Sequence, residues 1–302
     1  MASMVELSVE VAGLRLRNPV VVASGVLGVS VGLMKRAEDA GAGAVTSKTV
    51  TLNPREGYPN PVVYELDYGL VNSMGLPNPG AEEMGRILRE ARRVLGIPVI
   101  ASIGASTPDE ALRIAEALEG FDALELNASC PHVKGLGADL MSDPDAVYGI
   151  VSALKSSGYR VFLKLSPHGD YLAVARKAYS AGVDGFTAIN TAKAMVIDVY
   201  ARKPVLGGVV GGLSGRAIHP IAVRVVYELH REFPEVPVIG TGGVEGWVEA
   251  VELILAGASA VGVGTALKRG FEVIGEILGG IERYLRDEGF PSVESIVGLA
   301  HK

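Results

Sequence analysis

The chain has one cysteine, one tryptophan and an aromatic content of only 6% in 302 residues. A single cysteine excludes an intramolecular disulfide and leaves no thiol cluster to hold an iron–sulfur centre, so any such centre must come from another protein. Positive charge is also scarce. The 28 Lys and Arg residues are outnumbered by 34 Asp and Glu, giving a net charge of −6, and no basic stripe marks a nucleic-acid surface. The most apolar stretch, VVVASGVLGVSVGLM at 20–34, is shorter than the ~20 residues a membrane-spanning helix needs and is broken by Ser24, Gly25, Gly28, Ser30 and Gly32. The opening MASMVELSVE has no basic export region. A cytoplasmic chain without a metal site, membrane or nucleic-acid partner is expected.

Aliphatic residues and glycine are plentiful: 48% of the chain is hydrophobic and 39 residues are glycine. Such a chain buries a large core and has many places where the backbone turns sharply or approaches a ligand. The length suits one α/β barrel, so a single domain over 1–302 is expected. VELSVEVAGLRLR at 5–17 alternates around Gly13 and reads as a β-hairpin capping one barrel end. Short β-branched runs follow at 20–23, 44–47, 99–103, 123–126, 161–165, 185–189, 238–240 and 260–263. Helical periodicity follows each one, as in 108–119, 144–156, 171–181, 244–256 and 271–287. Eight strand–helix units predict a (β/α)8 TIM barrel rather than a doubly wound sheet, which would show five or six. The connections at 49–80 and 191–215 are too long for ordinary loops and read as covers over the barrel mouth. The glycine-bearing VKGLGADLMSDPD after the fourth strand reads as a further mobile loop.

In a barrel the C-terminal strand ends converge, so residues distant in sequence form one site. Those ends read ASG (23–25), SKT (47–49), Ser102, Asn127, Lys164, INT (189–191), GTGGV (240–244) and GVGTA (262–266). Glycines after the seventh and eighth strands, joined by GGLSG (211–215), let backbone N–H groups approach an anion and predict a phosphate-bearing ligand. Lys48 and Lys164 each end an apolar strand, which suits a cationic pocket for a planar electron acceptor and a small anionic substrate. Cys130 is crowded by Asn127, Ser129 and His132, unlike a thiol buried only for packing, and reads as the chemical centre. No GxGxxG with a downstream acidic residue is present, so a nicotinamide Rossmann site is not expected.

NPVVVASG (18–25), SKT, NSMGLPNPG (72–80), ELNASCP (125–131), LKLSP (163–167), INT, GGLSG, GTGGV and GASAVGVGTA (257–266) together resemble the class 1 dihydroorotate dehydrogenases over about residues 5–290. NSMGLPN followed by ELNxSCP is the most specific pair. RKPVLGGVVGGLSG (202–215) resembles the class 1B catalytic subunit more than the fumarate-using 1A type. The resemblance implies FMN at the barrel mouth, held by Ala23, Ser24, Lys48, Thr49, Asn127, Lys164, Ile189, Gly215, Gly242, Gly243, Gly264 and Thr265. It implies dihydroorotate stacked on the flavin against Lys48, Asn72, Met74, Gly75, Leu76, Asn127, His132, Asn190 and Thr191, with Lys48 and the amides of 74–76 on its carboxylate. Cys130 would remove the C5 proton while flavin N5 takes the C6 hydride, and Lys164 would stabilise negative charge on the reduced flavin. The class also implies an FAD and iron–sulfur electron-transfer subunit, in a homodimer or heterotetramer. Two positions depart from the pattern: Ser102 and His132 stand where asparagines are usual. Histidine after SCP is seen instead in dihydropyrimidine dehydrogenases, so a uracil-type substrate is the alternative; His132 would then meet the pyrimidine edge or pack in its loop. NSMGLPN, a carboxylate site that uracil would not need, favours dihydroorotate. A phosphate-ligand sensor without turnover is the non-enzymatic alternative.

Overall fold

The computed structural model describes residues 5–128 and 140–302. The chain opens with a hairpin, β1 (Val9–Val11) and β2 (Leu14–Leu16), joined through Ala12 and Gly13 at φ 53° and 74°. Two successive positive φ values make the turn whose twist matches antiparallel strands. Each strand alternates buried, exposed, buried, so Val9, Val11, Leu14 and Leu16 enter the core while Glu10 and Arg15 face out. The Arg160 guanidinium lies against Gly13, next to the start of a barrel strand, so the hairpin closes the end opposite the strand C-termini.

The main fold then runs β3 (Val20–Val22), α1 (Val31–Asp39), β4 (Ala44–Thr46), β5 (Val63–Leu66), β6 (Gly69–Asn72), α2 (Ala81–Val94), β7 (Val99–Ile103) and α3 (Pro108–Ala117). It continues through β8 (Ala123–Asn127), α4 (Pro144–Ser156), β9 (Val161–Leu165), α5 (Tyr171–Ser180), β10 (Gly185–Ala188), β11 (Ala192–Ala194), β12 (Ile197–Asp198), β13 (Lys203–Pro204) and β14 (Gly211–Ser214). It ends with α6 (His219–Glu232), β15 (Val238–Thr241), α7 (Trp247–Leu255), β16 (Ala260–Val263) and α8 (Glu272–Asp287). Strands β3, β4, β7, β8, β9, β10, β15 and β16 form a closed parallel barrel in chain order. Nearly every residue in these strands is buried, because the barrel interior takes one face and the helices cover the other. The expected (β/α)8 architecture is therefore the one observed.

Helix starts are written locally. Thr107 and Asp143 each precede a proline, which has no N–H to lose at a first helical position, and accept hydrogen bonds from Glu110 N–H and Ala146 N–H. Asp170 and Ser30 cap α5 and α1 in the same way. The expected helix at 244–256 begins later, at Trp247, because the preceding residues form the turn that follows β15.

The two long connections have a structure of their own. β5 and β6 from the first pair with β14 and β11 from the second in a four-stranded antiparallel sheet, ordered β11-β14-β6-β5. Its central register sets Gly212 opposite Asn72 and Leu213 opposite Val71. Glycine is required at 212, since a Cβ there would lie 2.0 Å from Thr191 Oγ1.

Inside the barrel the Phe162 ring covers Gly185, where a Cβ would fall 2.5 Å from ring carbon Cε1. Gly185→Ala should overpack this layer and lower stability by about 1–3 kcal/mol, read as a lower urea midpoint. Adding Phe162→Leu should recover part of that loss, because neighbouring substitutions that share one space are not additive.

Candidate active site at the barrel mouth

The C-terminal strand ends surround a cavity of about 510 Å³, within the range of small-molecule sites. Ala23 and Ser24 line it after β3, Lys48 and Thr49 after β4, Asn127 at the end of β8, Lys164 on β9, and Ile189, Asn190 and Thr191 after β10. Gly242 and Gly243 follow β15, Gly264 and Thr265 follow β16, and Asn72, Met74, Gly75, Leu76 and Gly215 come from the covering sheet and its turns. Every proposed cofactor and substrate residue within the described regions thus lines one cavity. Cys130 and His132, with Ser129 and the rest of the loop after the fourth barrel strand, lie outside the described residues.

Beneath the cavity runs a chain of buried polar contacts whose direction follows from counting protons. The Ser102 hydroxyl donates to Glu125 Oε1 at 2.9 Å, so its contact with Thr49 Oγ1 at 2.8 Å must be donated by Thr49. Thr49 then accepts from Asn127 Nδ2 at 3.1 Å, and Asn127 Oδ1 accepts from Asn190 Nδ2 at 3.4 Å. The chain ends on a carboxylate that also faces Lys164 Nζ at 3.8 Å, with the two side chains 3% and 7% exposed. Glu125 therefore sets a countercharge beside the lysine and, through two hydroxyls, fixes the orientation of the Asn127 amide. Breaking such a buried pair from one side leaves a charge without compensation.

The turn after β6 presents a different kind of group. Gly75 and Leu76 adopt φ of 71° and 59°, and a Cβ at Gly75 would lie 2.7 Å from Tyr58 N. Among the described residues the N–H groups of Met74, Gly75 and Leu76 find no acceptor within the chain, although all three residues line the cavity. Successive unpaired N–H groups in such a turn form a seat for an anion.

A second seat follows β15 and β16. Gly242 and Gly243 have φ of 136° and 69°. The N–H groups of Gly243, Val244, Thr265 and Ala266 likewise have no acceptor among the described residues, and all four residues line the cavity. A Cβ at Gly243 would lie 2.7 Å from His219 Cβ and 2.9 Å from Gly215 O, so only glycine allows this close approach. Thr241 Oγ1, at the same end, is buried without a hydrogen-bond partner among the described residues. Small residues, orphan donors and an unpartnered hydroxyl together fit a phosphate monoester.

Val63 and Leu70 also line the cavity, as do Lys268 and Glu245. Neither the strands that carry Val63 and Leu70 nor the roles of Glu125 and Ser102 beneath the floor were expected from sequence. The covering sheet is tied down at its edges: Lys268 pairs with Glu65, and the Lys193 N–H donates to His168 Nε2 at 2.8 Å.

The barrel mouth thus gathers Lys48, Lys164 and two runs of unpaired backbone N–H groups into one cavity, the arrangement of a barrel-enzyme site suited to anionic ligands. The dihydroorotate dehydrogenase family model matches residues 6–285. A Pyrococcus horikoshii protein named dihydroorotate dehydrogenase B (NAD(+)), catalytic subunit, is 47% identical over 300 residues, covering 98% of each chain. A Thermococcus kodakarensis protein of the same name is 48% identical over 299 residues, again covering 98% of each. An Aeropyrum pernix protein with the provisional name dihydroorotate dehydrogenase A (fumarate) is 48% identical over 306 residues, covering all of both. The chain belongs to the dihydroorotate dehydrogenase family, a group of flavin-dependent oxidoreductases. No helix among the described residues is long and apolar enough to cross a membrane.

Ser102→Ala should remove a donor from the Glu125 carboxylate and cost about 1–3 kcal/mol of stability by denaturant titration. His168 gives a pH dependence. Burial, then the nearby Lys193 ammonium, lowers its pKa, and its Nε2 must be unprotonated to accept the Lys193 N–H. The unfolded chain, with an ordinary value of about 6.5, takes up the proton first as pH falls. The contribution is therefore full above that value and is lost on acidification through the lower folded value. His168→Ala should flatten this part of the stability profile, and the protection of the Lys193 amide relative to its intrinsic exchange rate should fall below about pH 6.5 in the unmodified protein only.

Proposed function

We propose that this chain oxidises dihydroorotate to orotate, a step of pyrimidine biosynthesis, with FMN bound in the barrel-mouth cavity and Cys130 as the base. The observation that carries the reading is the pairing of two anion seats across one cavity. The glycine turns after β15 and β16 would hold the FMN phosphate, and the Met74–Leu76 amides with Lys48 would hold the substrate carboxylate. A uracil-type base has no carboxylate to occupy the second seat. The relatives reported above are named dihydroorotate dehydrogenases, which also favours this substrate.

FMN, when bound, supplies the hydride-accepting centre. The chain supplies the rest. Asn127 and Asn190, linked to each other and anchored through Thr49, present amide groups to the substrate ring, and Thr191 sits beside them under the covering sheet. Lys164, paired with Glu125, sits at the cavity wall beside the proposed flavin. Ala23, Ser24, Ile189, Gly215, Gly264 and Thr265 complete the proposed cofactor surface. Cys130, three residues beyond Asn127 in sequence, would take the C5 proton as thiolate, and His132, two residues further on, is the other proposed contact from this part of the sequence. The B-type names of two of the relatives favour transfer of electrons to a separate FAD and iron–sulfur subunit in a heterotetramer, over fumarate and a simple homodimer.

Dihydroorotate should bleach the flavin absorbance of the anaerobic protein, and dihydrouracil should not. The bleaching rate should rise with pH through a single thiol ionisation, ordinarily near 8.5. Cys130→Ser should slow it at least ~100-fold and abolish that ionisation. An unchanged pH profile in the variant would rule out Cys130 as base, and bleaching by dihydrouracil alone would favour the uracil-type reading.

A further inference from the structure

His219 is a buried titratable residue outside the reaction proposed above. It opens α6 directly behind the turn that follows β15, and 7% of it is exposed. Its Nδ1 lies 2.9 Å from the carbonyl oxygen of Gly242 and its Nε2 lies 3.1 Å from Glu252 Oε2 on α7. A carbonyl oxygen only accepts, so Nδ1 carries a proton and donates it.

The consequence for the glycine turn is geometric. The Gly242–Gly243 peptide is trans and planar, so its C=O and N–H point in opposite directions. With the carbonyl held on His219, the Gly243 N–H must face away from α6. Gly243 lines the cavity and its N–H has no acceptor among the described residues. Flanked by two glycines, this peptide could otherwise rotate at little steric cost and turn its carbonyl toward a bound anion.

We propose that His219 is a positioning residue that locks this peptide, holding the Gly243 N–H toward the cofactor phosphate, and that Glu252 holds His219 in turn. The inference rests on the FMN reading above and deepens it. Glu245 also lines this end of the cavity, so a flipped peptide would add a carbonyl dipole to a carboxylate already near the phosphate. The lock matters most where uncompensated negative charge would be greatest.

The test compares equilibrium binding of FMN and riboflavin, which differ only in the phosphate, to the deflavinated protein by flavin fluorescence. The unmodified protein should prefer FMN. His219→Leu should reduce that preference about tenfold with riboflavin affinity unchanged, the scale of one hydrogen bond to a charged group. His219→Asn, whose amide can replace the Nδ1 donor, should keep most of the preference. Glu252 is 53% exposed, so its variants should fold even where His219→Leu does not: Glu252→Ala should weaken the preference and Glu252→Gln should restore it. Equal losses for both flavins, or an unchanged preference in both His219→Leu and Glu252→Ala, would overturn the lock. If the unmodified protein itself showed no preference for FMN, the phosphate-seat reading would fail first and the lock with it.

Discussion

The hydrogen bonds between β16 and β3 are the constraint on which everything else depends. They pair Val261 with Val20 and Val263 with Val22, and they continue beyond the strand as Ala23 N–H donates to Val263 O at 2.9 Å. Without this seam the sheet would have two open edges, each with a row of unpaired backbone groups. With it, every strand points the same way around a ring and all eight C-terminal ends share one rim. Gly264 and Ala23, near opposite ends of the chain, become neighbours only because the ring closes. The site is thus a property of closure, since no single strand end carries enough polar groups to bind anything.

In the proposed reaction a chain with a net charge of −6 binds two anionic groups at that rim. It does so with few full charges. Lys164 has its countercharge built in, in Glu125, so that wall of the cavity is close to neutral before any ligand arrives. The remaining attraction comes from backbone N–H dipoles, which stay fixed on the rigid fold and bring no desolvated cation with them. The covering sheet serves the same end, because pairing β6 with β14 brings the Met74–Leu76 turn to the cavity that the glycine turns after β15 and β16 also line.

Much of this was legible in the sequence. Runs such as VIASI and VFLKL announce their strands because both faces are buried, so each carries a single polar residue, Ser102 or Lys164, and Thr-Pro and Asp-Pro mark the starts of α3 and α4. The glycine clusters and the strand-end lysines located the rim. What sequence could not show is pairing at a distance. β5 is largely exposed and has no buried face, so its identity comes from β6, and that of β6 from β14 about 140 residues on. The link between Glu125 and Ser102 was hidden for a related reason: each sits in an apolar run, and only the register that sets Ser102 beside Glu125 shows that the hydroxyl serves the carboxylate. His219 reads as an ordinary residue at a helix start until the turn behind it is seen.

The two anion seats share one construction. In the covering turn, Met74 O accepts from Tyr58 N–H at 3.0 Å, so across the planar Met74–Gly75 peptide the Gly75 N–H must point the other way. After β15, Gly242 O is held by His219 and the Gly243 N–H is turned outward by the same rule. In each case the group facing the cavity is oriented by a bond made behind it. Each case also needs glycine, because the anchoring partner approaches within 3 Å of where a Cβ would be. Glycine gives the backbone access and takes away its preference for one orientation, so a seat built on glycine requires a separate residue to restore that preference. Sequence patterns reveal the glycines; the residues that discipline them, Tyr58 through its backbone and His219 through its ring, are visible only once the chain is folded.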